Sequence, residues 1–84
     1  MTENPQATLE SPQATLDARG LNCPLPILRT RKALAALERG DLLEMLATDP
    51  GSLKDIESFC QQTGHRLLET RSDAGEFRFL IRKS

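Results

Sequence analysis

The spacing of hydrophobic and polar residues changes along the chain and predicts strands alternating with helices before a final pair of strands. Positions 14–18 alternate small or apolar with polar residues, as expected for a half-exposed strand. Positions 42–48 place apolar residues on both faces, which is typical of a central strand. The predicted elements are strands at 14–18, 42–48, 66–72 and 76–83, with helices at 24–38 and between Asp49 and Gly64.

The first predicted helix carries one apolar face. Pro24 fits its first turn, where a missing N–H costs nothing, and Gly40 is expected to end it. The residues predicted to be buried are Ile27, Leu34 and Leu37, with Leu28 and Ala35 beside them. Arg29 and Lys32 then belong to a different, solvated side.

The start of the second helix can be capped in two ways. Asp49 can cap it with Pro50 in the first position, or Ser52 and Asp55 can form a capping box. Gly64 ends this helix. The stripe predicted to be buried consists of Leu53, Ile56, Phe59 and Cys60.

The last strand alternates, and it completes the fold prediction. Its inward residues are expected to be Phe77, Phe79 and Ile81, and its outward residues Arg78, Leu80 and Arg82. The order βαβαββ contains two crossovers, and because both should be right-handed, both helices lie on one face of the sheet. We therefore predict an α/β (α+β) fold, a two-layer sandwich of two helices on a mixed four-stranded sheet.

Residues 1–13 are predicted to be a disordered N-terminal tail, and residues 14–84 the single domain. The tail contains Pro5-Gln6-Ala7-Thr8-Leu9, which returns from Pro12 onward. The chain begins with polar residues and has no apolar stretch typical of a signal peptide. No apolar run is long enough to span a membrane. We expect a cytoplasmic protein, whose thiols stay reduced.

Charge is distributed unevenly. The formal net charge is −1, which argues against strong sequence-independent binding of nucleic acid. The segment 18–40 nevertheless contains five basic residues and one acidic residue, a net charge of +4, whereas the remainder is −5. The basic residues of this segment that we expect to bind a partner protein are Arg19, Arg29, Arg31 and Lys32.

The chain has two cysteines, Cys23 and Cys60, and one histidine, His65. A structural zinc site requires four such ligands at short spacings, so no metal is expected. A disulfide between the two cysteines stays open at this point. Cys60 lies on the predicted buried stripe and is expected to be structural. His65 follows a helix-ending glycine and is expected to be a surface or capping residue.

Cys23 is the candidate reactive residue. It falls at the N-cap of the first helix or just before it, where free N–H groups and the helix dipole favour a thiolate. Arg19 and the basic segment are expected to lower the thiol pKa further. Pro24 and Pro26 stiffen the junction between loop and helix, which should hold the sulfur outward.

The motif Gly20-Leu21-Asn22-Cys23-Pro24-Leu25-Pro26 resembles that of the TusA/SirA-like sulfur carriers, in which a strand is followed by Gly-Leu-x-Cys-Pro-x-Pro and a basic helix. The similarity runs from about Leu16 to Lys83. Further matches are Arg31-Lys32, Asp49-Pro50, Phe59-Cys60 and the ending Leu80-Ile81-Arg82-Lys83.

This resemblance implies a function. In the family, the motif cysteine accepts sulfane sulfur from a cysteine desulfurase and passes it to the next protein of a relay. The best-known relay ends in 2-thiouridine at the wobble position of certain tRNAs, and relatives are tied to molybdenum cofactor maturation or sulfur oxidation. By motif position, Cys23 takes the carrier role. No cofactor is needed beyond the persulfide sulfur itself.

The leading hypothesis is therefore a sulfurtransferase-type persulfide carrier rather than an enzyme acting on a small substrate. Two alternatives stay open: a non-catalytic RNA-binding or regulatory module, and a thiol redox sensor that uses the same cysteine. Only three phenylalanines are available for stacking on bases, and all three are at predicted core positions. A monomer is expected, since no long apolar patch is left unpacked.

Overall fold

The computed structural model describes residues 11–84, and it has the predicted element order. The prediction for residues 1–10 lies outside the described residues. The strands are β1 (Ala14–Ala18), β2 (Leu42–Ala47), β3 (Arg66–Asp73) and β4 (Glu76–Arg82), and the helices are α1 (Leu25–Ala35) and α2 (Ser52–Thr63). The fold is the predicted two-layer α+β sandwich, with two helices and a mixed sheet in the order β1-β2-β4-β3.

The pairing of β1 with β2 positions the loop that contains Cys23. These strands are parallel and in register from Ala14 opposite Leu43 to Ala18 opposite Ala47. The chain therefore leaves both strands at the same edge of the sheet. Side chains that follow the carboxyl ends of neighbouring parallel strands are brought together there.

The core lies between the sheet and the helices. Phe79, Met45 and Ile56 are fully buried in it. Cys60 also belongs to this cluster, at 5% exposure, so its predicted burial is confirmed. β2 lies between β1 and β4, as its apolar pattern predicted.

Helix α1 is shorter than predicted, and its predicted apolar face is confirmed. It ends at Ala35 rather than at residue 38, because the next turn tightens to a hydrogen bond from the Leu37 N–H to the Leu34 carbonyl. Gly40 therefore does not end the helix, and its N–H donates to the carbonyl of Lys83. Leu34 is buried, and Ile27 and Leu37 pack against the core as predicted. Pro26 and Thr30 are buried as well, whereas Leu28 and Ala35, which were placed beside this face, are exposed.

Leu80 faces outward as predicted, but it is not accessible to solvent. Its exposure is 2%. On the outer face of the sheet it is paired with Glu44 on one side and Glu69 on the other. The aliphatic parts of long charged side chains such as Arg78 can cover an apolar neighbour on such a face. The alternation of apolar and polar residues predicted the correct face for Leu80, but it could not predict that neighbouring side chains cover this residue.

Candidate functional site

The reactive candidate lies in the loop between β1 and α1. Gly20 has a φ of 83°, a left-handed conformation that a side chain would strain, and it turns the chain out of the sheet. Its N–H donates to the hydroxyl of Thr48 at 2.9 Å, which ties this loop to the end of β2. Cys23 follows, exposed and unpaired with the buried Cys60. The sequence left a disulfide between them open, and the structure has two free thiols.

Asp49 fixes the backbone of Cys23. Its Oδ2 accepts a hydrogen bond from the Cys23 N–H at 2.9 Å, and its Oδ1 accepts one from Gly51 at 3.3 Å. Neither capping prediction for α2 is correct, since the N-cap is Gly51 and no side chain caps this end. The Asp49 carboxylate instead joins the two loops that follow the parallel strands β1 and β2.

Cys23 lies just before the N-cap of α1, which is Pro24, as predicted. However, this helix end offers few free donors. Leu25 already donates its N–H to the Asn22 carbonyl, and Pro26 has no N–H to offer. The prolines therefore remove part of the positive helix terminus that was expected to stabilise a thiolate.

The predicted low pKa of Cys23 is wrong in direction. A hydrogen bond between the thiol and the Asp55 carboxylate raises the pKa, and partial desolvation and the negative charges of Asp55 and Asp49 raise it further. A carboxylate stabilises the neutral thiol and repels a thiolate, which explains the sign. The prediction considered the basic residues that are near Cys23 in the sequence. It could not include the acidic residues that the fold brings close to the thiol.

A groove of about 260 Å³ opens between α1 and α2 at Cys23. Pro24, Ile27 and Arg31 line it from the α1 side, and Asp55, Phe59 and Gln62 line it from α2. A larger hollow of about 520 Å³ lies at the β3–β4 hairpin, and neither a cysteine nor the histidine lines it. Cys23 therefore lies at the smaller groove, which is large enough for an additional sulfur atom but is not a deep substrate pocket.

The four predicted partner-binding residues differ in their surroundings. Arg19 is paired with Asp17 at 2.9 Å and with Glu76 at 3.5 Å, so its charge is largely compensated. Arg31 lies over the ring of Phe59, 5.5 Å from its centroid, within the Cys23 groove. Arg29 and Lys32 are exposed.

Two leucines complete this exposed part of α1. Leu25 and Leu28 are 44% and 52% exposed. With Arg29 and Lys32 they follow the spacing i, i+3, i+4, i+7, so the four residues share one helix face, which we call the α1 outer face. Hydrophobic spacing alone did not predict this surface, since Leu28 was placed beside the apolar face of the helix.

The remaining candidates have structural roles. Burial raises the pKa of the Cys60 thiol to about 11, so it is a poor nucleophile at neutral pH. His65 is half-buried beside Phe59, with ring centroids 5.8 Å apart, and its Nδ1 accepts a hydrogen bond from the Ser84 N–H. Burial lowers its pKa, and the charge of Lys83 lowers it further.

Within residues 11–84, no group of three or more His, Cys, Asp or Glu side chains is arranged to hold a metal ion. In the same part of the chain, no helix is long and apolar enough to cross a membrane.

Comparison with known proteins identifies relatives over nearly the whole domain. The sequence profile described as "Sulfurtransferase TusA" matches residues 14–83. A protein named "Sulfur carrier protein TusA" from Allochromatium vinosum is 56% identical over 69 residues, which cover 82% of this chain and 91% of the relative. A protein of the same name from Pseudomonas putida is 47% identical over 73 residues, covering 87% and 91%.

A solved structure is also similar. The crystal structure of the SirA-like protein from Desulfitobacterium hafniense superimposes with a TM-score of 0.74 at 30% sequence identity. The match covers 83% of this chain and 96% of that chain.

Proposed function

The chain belongs to the TusA sulfurtransferase family of sulfur carriers, and from this premise we propose that it carries sulfur as a persulfide on Cys23. The observation that carries the proposal is the contrast between the two thiols. Cys23 is exposed at the mouth of a groove, whereas Cys60 is buried in the core. A sulfur carrier must present its cargo to two different proteins, which only an accessible thiol can do.

The chemistry consists of two thiol–persulfide exchanges. Cys23 attacks the terminal sulfur of a donor persulfide, and the donor leaves as a thiol. An acceptor thiol then attacks the terminal sulfur of the Cys23 persulfide and regenerates the free carrier. We assign a cysteine desulfurase as the donor and a downstream relay protein as the acceptor, in a cytoplasmic route that leads to thiolated uridine in tRNA. The sulfur atom is cargo, so the carrier requires no bound cofactor.

Intact-mass measurement tests the assignment. After incubation with a cysteine desulfurase and cysteine, we expect the chain to gain the mass of one sulfur atom, and dithiothreitol should remove it. Peptide mapping should place the gain on Cys23. A gain on Cys60, or a gain that resists the reductant, would contradict the proposal. A stable gain of oxygen instead of sulfur would favour the alternative role as a redox sensor.

The α1 outer face supports a protein partner rather than RNA. It combines two exposed leucines with the exposed charges of Arg29 and Lys32 beside the carrier cysteine. Apolar anchors surrounded by charge are typical of protein interfaces, where the charges increase the association rate and set the register. Phe59 and Phe79 are buried and Phe77 is half-buried, so they form no exposed stacking platform for bases.

Reversing the two exposed charges tests this docking surface. We expect Arg29→Glu with Lys32→Glu to weaken desulfurase binding at low salt by roughly tenfold or more, mainly through the association rate. The loss should shrink as salt is added, because exposed charges are screened over about 8 Å at physiological ionic strength. Binding can be measured by surface plasmon resonance at two salt concentrations.

Arg66→Glu with Arg71→Glu is the matched control, since both residues are exposed on β3. This pair makes the same change in net charge but lies on an edge strand away from the Cys23 groove. If both double variants lost affinity equally, only net charge would matter, and the α1 outer face would not be the docking site.

A further inference from the structure

Asp55 is placed to take part in the exchange reaction. It lies in the first turn of α2 and lines the groove that Cys23 also lines. Interaction with this carboxylate raises the pKa of the Cys23 thiol. No side chain makes a capping hydrogen bond at this end of α2, so the Asp55 carboxylate is not engaged as a helix cap.

The surroundings of Cys23 distinguish Asp55 from the other charged groups nearby. Asp49, in the loop after β2, is bonded to the backbone N–H of Cys23 and acts on the thiol only through its charge. Arg31, from α1, lines the same groove but lies over Phe59. Among the described residues, Asp55 is thus the one carboxylate that lines the groove together with Cys23.

The thiol must lose its proton before it attacks, because the thiolate is the nucleophile. The environment of Cys23 keeps the resting thiol protonated. A carrier of this kind needs a local proton acceptor at the moment of attack, since few free thiolates are available at neutral pH. A positioned carboxylate can serve even with a low basicity, because proton transfer accompanies formation of the new sulfur–sulfur bond.

We propose that Asp55 is the proton acceptor for Cys23 during sulfur loading, an inference that rests on the proposed carrier function. The Cys23 S–H proton passes to the Asp55 carboxylate while the Cys23 sulfur bonds to the terminal sulfur of the donor persulfide. The sulfur–sulfur bond of the donor breaks, and its electron pair stays on the donor cysteine sulfur. Asp55 then returns the proton to that leaving thiolate. Cys23 is oxidised to a persulfide, the donor persulfide is reduced to a thiol, and no further reactant is consumed.

Two measurements on Asp55→Asn test this role in the full chain. The first is the rate of alkylation by iodoacetamide against pH, which reports the thiolate without a sulfur donor. The second is the rate of sulfur uptake from glutathione persulfide, followed by intact mass at neutral pH. We expect alkylation at neutral pH to become faster, because the carboxylate no longer disfavours the thiolate. We expect sulfur uptake to become slower by about tenfold or more, since a positioned acceptor contributes roughly 10²–10⁴-fold and water replaces it in part.

This opposite response of the two rates separates proton transfer from simple electrostatics. If Asp55 acted only through its charge, both rates would rise together, and the proposal would be overturned. If neither rate changed, the thiol–carboxylate contact would have no role in loading, which would overturn it equally. Asp55→Glu keeps a carboxylate and should restore part of both wild-type rates.

Glu57→Gln is the matched control, because Glu57 is an exposed acid on the same helix. It makes the same change in charge as Asp55→Asn and should leave both rates unchanged. Circular dichroism of each variant shows whether the fold is kept, and Asp55→Glu carries the test if Asp55→Asn does not fold. If wild type accepted no sulfur on Cys23, the carrier assignment itself would fail, whereas normal uptake by Asp55→Asn would reject only the role of Asp55.

Discussion

Cys23→Ser is expected to abolish sulfur acceptance and to leave the fold unchanged. A serine hydroxyl cannot form a persulfide, so no mass gain should appear after treatment with a desulfurase and cysteine. The Cys23 side chain is exposed, and the hydrogen bond to Asp49 comes from its backbone N–H, which serine keeps. Intact mass and thermal denaturation of the same preparation check both halves of this expectation.

Cys60→Ser is the matched control, because it makes the same chemical change in the core. It should keep sulfur acceptance but lose roughly 1–3 kcal/mol of unfolding free energy, since a hydroxyl is placed among apolar side chains. Cys60 is 5% exposed between α2 and the sheet. If Cys23→Ser were the more damaging of the two to stability, the assignment of one reactive and one structural thiol would be wrong.

Phe79→Ala is expected to have the largest effect on stability, a loss of about 3–5 kcal/mol in the free energy of unfolding. Phe79 is fully buried on the central strand β4 and belongs to the core cluster. A domain of this size has only about 4–13 kcal/mol of net stability at the usual value per residue. The substitution should therefore leave a large fraction of the chain unfolded at moderate temperature, as urea denaturation followed by circular dichroism would measure.

Phe77→Ala is the control for this prediction, since Phe77 lies on the same face of the same strand and is only half-buried. Its loss should be clearly smaller, because a partly exposed ring leaves a smaller cavity. Equal losses at the two positions would show that the ring at position 79 does not form the centre of the core.

Local signals in the sequence were sufficient to predict most of the fold. Strand β1 was predicted with its observed bounds, and Gly64, with a φ of 86°, ends α2 where a left-handed glycine was expected. Such signals depend on residues that are close together in the chain, so they can be recognised in the sequence without the tertiary structure. The end of α1 was predicted less well. Whether its last turn tightens after Ala35 depends on how the following loop is held by Asp41 and Lys83.

The candidate site was also predicted only in part. The motif around Cys23 identified the candidate nucleophile and its place at the start of a helix, because these features are contiguous in the chain. Whether the pKa of the Cys23 thiol is raised or lowered could not be predicted from the sequence. Asp49 and Asp55 are 26 and 32 positions away along the sequence and reach the thiol only because β1 and β2 are parallel neighbours.

The sequence by itself determined the order of the strands and helices, the inward face of the last strand, and which cysteine precedes a helix. These properties follow from periodicity and from residues close together in the chain. The tertiary structure alone decided that Leu80 is covered, that Leu28 is exposed, and that Asp49 and Asp55 lie near the thiol and raise its pKa. The physical reason is that burial and electrostatic interactions depend on distance in space, and the parallel crossover brings together groups that the sequence keeps far apart.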